Sequence, residues 1–86
     1  MIRVARYSPN ENDGDIKVWR VVRRATRWRI EIAVHLEGRE PEARVIRLED
    51  PMRLDEVTDI AISAIEELTP NNLPVVSAWM DFWADV

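Results

Sequence analysis

Cysteine is absent from this 86-residue chain, and it has only two glycines and one histidine. Without thiols there is neither a disulfide nor a thiolate metal site, so apolar burial has to hold the fold together. Two glycines cannot build a glycine-rich phosphate loop. The lone His35 and the three serines Ser8, Ser63 and Ser77 have no base nearby in sequence, so no activated nucleophile is set up. No catalytic residue, cofactor or metal is therefore expected. No run of about 18 apolar residues occurs, which excludes a membrane-spanning helix. The opening MIRVARYSPN has no apolar segment of the secretory type, which points to the cytoplasm.

What the chain does have is apolar content, at 47%, and four tryptophans. A single domain over residues 1–86 is near the lower size limit for a self-sufficient core. Large aromatics make such a core credible, since each can bury roughly 150–250 Å2.

The clearest pattern runs from Arg27, where Trp28, Ile30, Ile32, Val34 and Leu36 alternate with Arg27, Arg29, Glu31, Ala33 and His35. Period-two alternation marks a strand with one buried face. Val18–Arg24 is also rich in strand-forming residues, so a hairpin turning at Arg24-Ala25-Thr26-Arg27 is expected. In it Trp19, Val21 and Arg23 lie opposite Ile32, Ile30 and Trp28. Ile2–Tyr7 forms a first strand with Ile2 and Val4 inward, joined to the second through a turn at Asp13-Gly14. The oxygen-rich stretch Pro9–Asp15 does not fit a calcium loop, because its first and twelfth ligand positions would be Pro9 and Arg20. Gly38 supplies positive φ in the loop 37–42, and Arg44–Leu48 forms a fourth strand with Ile46 and Leu48 inward.

At Asp50-Pro51 the period changes to that of a helix, with Asp as the cap and Pro at the first position. Leu54, Val57, Ala61, Ala64, Ile65 and Leu68 give it one apolar face, and Thr69-Pro70 ends it. A second, short helix over 72–85 follows, carrying Trp79, Phe82 and Trp83. The expected fold is α+β: an antiparallel meander of three to four strands over 1–48, an amphipathic helix over 50–68 on its apolar face, and the C-terminal helix. That last helix either closes the core or forms a homodimer interface.

Charge is unevenly spread. Residues 1–29 hold eight basic and three acidic side chains, a net of +5, and residues 30–86 hold four and thirteen, a net of −9, together the −4 of the chain. The expected hairpin gathers Arg20, Arg24, Arg27 and Arg29 on its outer face, with Arg47 across and Tyr7 beside them. Arginine suits phosphate or carboxylate, and an adjacent aromatic can stack on a base. The same face can also pair with itself, Glu31 lying opposite Arg20. Asp55, Glu56, Asp59 and Glu66 form an acidic band on the helix, able to meet a basic partner.

VVRRATRWRIEI, with Trp28 opening its strand, resembles the AP2-type DNA-binding domain and the arm-binding domain of phage integrases. Over residues 18–68 that resemblance implies a three-stranded sheet, one helix and DNA contact through arginines. The acidic helix and the absence of an aromatic before it depart from that pattern. In size, acidity and lack of catalytic residues the chain is similar to immunity proteins, antitoxins and phage-encoded inhibitors of host defence. The two functional expectations are a non-enzymatic module that occupies a partner protein's surface and, as the alternative, nucleic-acid binding. Net charge favours the first, because a strongly acidic segment opposes phosphate.

Overall fold

The computed structural model describes residues 1–8, 15–70 and 72–85; the expected Asp13-Gly14 turn lies outside them. In chain order the elements are β1 (Ile2–Ser8), β2 (Asp15–Val18), β3 (Arg24–Ala25), β4 (Arg27–Leu36), β5 (Glu42–Leu48), β6 (Met52–Arg53), α1 (Leu54–Leu68) and β7 (Val75–Asp85). Five strands form one antiparallel sheet in the order β2-β1-β7-β4-β5, and β3 and β6 make a separate two-stranded ladder. The α+β class and the antiparallel sheet are as expected. The C-terminal helix is not, nor is the meander of three to four strands, since five strands pair and the last of the chain lies in the middle.

The segment expected to be that helix is the middle strand of the sheet, paired with β1 on one side and β4 on the other. Its spacing explains why. Ala78, Met80, Phe82 and Ala84 are all buried on the side facing α1, while Ser77, Trp79, Asp81, Trp83 and Asp85 alternate with them on the other. Trp79, Phe82 and Trp83 also fit a helical spacing, which conceals the alternation, but as a helix the segment would spread its apolar residues around the axis. As a strand it keeps Ala78, Met80, Phe82 and Ala84 on one face, in line with the inward row of β4. Ala84 faces Trp28, Phe82 faces Ile30 and Met80 faces Ile32.

The strand β4 behaves as its alternation requires. Trp28, Ile30, Ile32, Val34 and Leu36 are buried, and Ile46 and Leu48 of β5 extend the row from Ile30 and Trp28. Its partners are β5 and β7, however, so the expected Val18–Leu36 hairpin does not form. The chain leaves the sheet after Val18, where the backbone N–H groups of Trp19 and Arg20 both donate to the Val4 carbonyl, at 2.9 and 3.2 Å. The segment then buries Val22 and Ala25 and pairs Arg24 and Ala25 with Arg53 and Met52. That pairing also corrects the helix start. Residues 52–53 are drawn into the ladder, the Leu54 N–H donates to the Arg23 carbonyl at 2.9 Å, and the helix begins at Leu54 instead of following Asp50-Pro51. Trp28 Nε1–H donates to the Met52 carbonyl at 3.0 Å, tying the ladder to the core. The Arg53 N–H donates to Glu56 Oε1 at 3.1 Å, supplying the missing cap.

The helix ends at Leu68 and buries Val57, Ala61, Ile65 and Leu68 against the sheet. One helix is about 10 Å wide, whereas five strands about 4.8 Å apart span roughly 20 Å. Its cover therefore cannot reach the β2 edge. Gly38, at φ +76°, takes the left-handed conformation expected in the loop after β4.

Candidate functional site

Two surfaces result from this geometry, one on each side of the sheet. On the side away from the helix, β1 contains a bulge. Arg3 pairs with Trp83 and Ala5 with Phe82, so Val4 is an extra residue in β1. Strict alternation would send Arg3 and Arg6 to opposite faces. The bulge puts both on the outer face, where Asp81 lies between them. Arg6 grips the carboxylate with two bonds, Nε to Oδ1 at 2.6 Å and a terminal nitrogen to Oδ2 at 2.7 Å, and Arg3 adds a third at 3.1 Å. Asp81 is only 4% exposed, so these charged hydrogen bonds are what make its burial tolerable. They also raise the Arg6 pKa further above its usual value, against the opposing effect of burial, so Arg6 stays charged.

A row of alternating rings and cations crosses the sheet next to this cluster. Arg3 lies 4.1 Å from the Trp19 ring centre and 6.0 Å from that of Trp83, and Arg29 lies 5.0 Å from Trp83 on the far side. Arg47 is next in register. Arg6 stacks on Trp79 at 4.7 Å. Each such contact contributes about 0.5–2 kcal/mol depending on desolvation, and together they hold the face rigid. Lys17, Arg6, Asp81 and Glu31 form the neighbouring row by register.

On the helix side, Tyr7, Ile16 and Val18 of β1 and β2 point the same way as the core but extend past the edge of α1. Ile16 is 62% exposed, Val18 56% and Val21 82%. Together with Leu54, Thr58 and Ile62 they line two adjoining grooves of about 700 and 340 Å3. Arg20, Arg23 and Arg53 border the larger groove together with Asp55 and Asp59.

The expected arginine face is therefore divided. Arg27, Arg29 and Arg47 are on the outer face, Arg27 within 4.0 Å of both Glu49 and Asp85. Arg20 borders the groove, and Arg24 sits exposed in the β3–β6 ladder. Tyr7 lies on the helix side of β1. Glu31 faces Val45 and Asp81, not Arg20. Of the acidic band, Asp55 and Asp59 reach the groove, Glu56 caps the helix and Glu66 lies near its far end. Trp79, Phe82 and Trp83 do not form one surface: Phe82 is core, and the two indoles are half-buried on the opposite side of the strand. That arrangement removes the helical dimer interface.

Sequence reasoning missed Arg3, Arg6, Lys17, Trp19 and Asp81 as a group. The alternation of 77–85 was a usable signal for Asp81; the bulge at Val4 left none. The arrangement implied by the AP2-type resemblance is not the one formed, since the strand next to β4 comes from the end of the chain. No family model, curated protein or solved structure matches this chain.

Proposed function

We propose that this is a non-enzymatic protein-binding module whose working surface is the open groove between β2 and α1. The observation that carries the reading is the exposure of Ile16, Val18 and Val21 beside a core that the same sheet buries over β4 and β7. Exposed apolar patches rimmed by polar groups are what protein contacts are made of. The rim indicates the kind of partner. Asp59 makes no ion pair among the described residues, while Arg53 is engaged by Asp55 and Glu56 at 3.4 and 3.3 Å. Arg20 and Arg23, like Asp59, make no ion pair among the described residues, so a partner segment with aliphatic or aromatic anchors and flanking charges of both signs matches the apolar floor and the mixed rim together. Such a module acts by occupancy, denying the partner's surface to others in the manner of an immunity protein or antitoxin.

The test is site-specific photocrosslinking in the native host, with the probe placed at Val21, at Ile62 and, as a control on another loop, at Arg39. The reading predicts the same discrete heterologous adduct from Val21 and Ile62 and none from Arg39. Adducts only to the chain itself, or equal labelling from all three positions, would count against it.

A further inference from the structure

On the opposite side of the sheet, Arg3, Arg6, Ser8, Lys17, Trp19, Ser77 and Trp79 surround a recess of about 350 Å3. Its size is near the lower end of ligand pockets, which run to roughly 300–1,000 Å3, so it holds a small ligand or one unit of a larger one. Its chemistry is specific. Two indoles wall it, Trp19 being 45% exposed, and all three charged residues among its described lining are cations. Asp81 beneath them neutralises one charge, so a net positive field faces the recess. Arg3 Nε–H finds no acceptor among the described residues. The cations and one indole are positioned on β1, β2 and β7, rigid strands rather than loops, and the bulge at Val4 is what brings Arg3 and Arg6 to this side.

We infer that this recess binds a phosphorylated aromatic ring, a nucleotide, with the ring against the Trp19 and Trp79 indoles and the phosphate toward Lys17, Arg3 and Arg6. The guanidiniums already lie against both indoles, so a base stacks on an extended Arg–Trp surface instead of a bare ring. The two-pronged edge of Arg6 is taken by Asp81, so the phosphate is met by Lys17 and by the remaining terminal N–H groups of Arg3 and Arg6. The site is separate from the groove and stands or falls independently of it.

The same chemistry is offered by a free nucleotide and by one unit of a single strand, and titrations distinguish them. Tryptophan fluorescence and calorimetry at low salt would follow uridine monophosphate, a short oligothymidylate, inorganic phosphate and poly-glutamate against the full chain. Saturable binding of the mononucleotide supports a free-nucleotide site, and binding of the oligomer alone supports a single-strand contact. In either case Trp19→Ala and Lys17→Glu should each weaken binding about tenfold, since stacking and phosphate contact are separate contributions. Lys17 is exposed and Trp19 is covered mainly by Arg3, so both variants should still unfold cooperatively, Lys17→Glu close to the parent and Trp19→Ala slightly below it, which excludes misfolding as the cause. No saturation by either nucleotide, or equal affinity for phosphate or poly-glutamate, would overturn the proposal.

Discussion

The helix-facing side of the sheet has two halves built from the same kinds of residue with opposite outcomes. Over β4 and β7, Ile30, Ile32 and Met80 are sealed beneath Val57, Ala61 and Ile65. Over β2, Ile16 and Val18 are bare, although isoleucine and valine are no less apolar there. What differs is distance from the helix axis. A single helix seals about half of a five-stranded sheet, so burial here is set by position in the sheet and not by residue type. The open half is a consequence of the architecture, which is why it can serve as a binding surface without compromising the core.

Several substitutions would break or sharpen that contrast. The largest effect is expected from placing a charge at the centre of the sealed half. Met80→Asp should abolish cooperative unfolding, because it buries an unpaired carboxylate in the strand that joins the two sides of the sheet; a sharp melting transition for this variant would remove β7 from the centre. Trp28→Ala should cost about 3–5 kcal/mol by denaturant titration, combining lost burial with a cavity. On the other face, Asp81→Ala should cost roughly 3 kcal/mol, near the lower limit for breaking a buried charge cluster, since both arginines can still reach water. The open half should respond least. Val18→Ser combined with Val21→Ser should change stability by only about 0.5 kcal/mol or less, as for exposed sites generally, and a loss comparable to that of Trp28→Ala would show that the groove is closed in solution.

Much of this was legible in the sequence, and each failure has a physical origin. The alternation of β4 was unambiguous because every inward position is aliphatic or indole. The body of α1 was equally clear, but its first residue was not. Asp50-Pro51 is a sound local start signal, and it lost to the pairing of Met52 and Arg53 with Ala25 and Arg24, a contact distant in sequence. Val18–Arg24 has strand-forming composition, but only its first residue pairs in the sheet, because β7 takes the place beside β4. The strand β7 itself was misread because tryptophan occurs on its outer face, where polar residues would have revealed the period. Those indoles are accommodated by Arg3, Arg6 and Arg29, residues of β1 and β4 that no local window joins to them. The outer-face cluster stayed hidden for a related reason, since a one-residue bulge shifts every later side chain to the other face and leaves no mark in composition.

The most direct test of the contrast between the sealed and open halves is residue-resolved amide hydrogen exchange of the free chain. Amides of β4 and β7 should be the slowest in the molecule, exchanging only through global opening, while those of residues 21–23, beyond the Trp19 and Arg20 bonds to Val4, should exchange orders of magnitude faster. Slow exchange throughout 21–23, with β7 exchanging as rapidly as the chain ends, would contradict both the central place of β7 and the open groove beside β2.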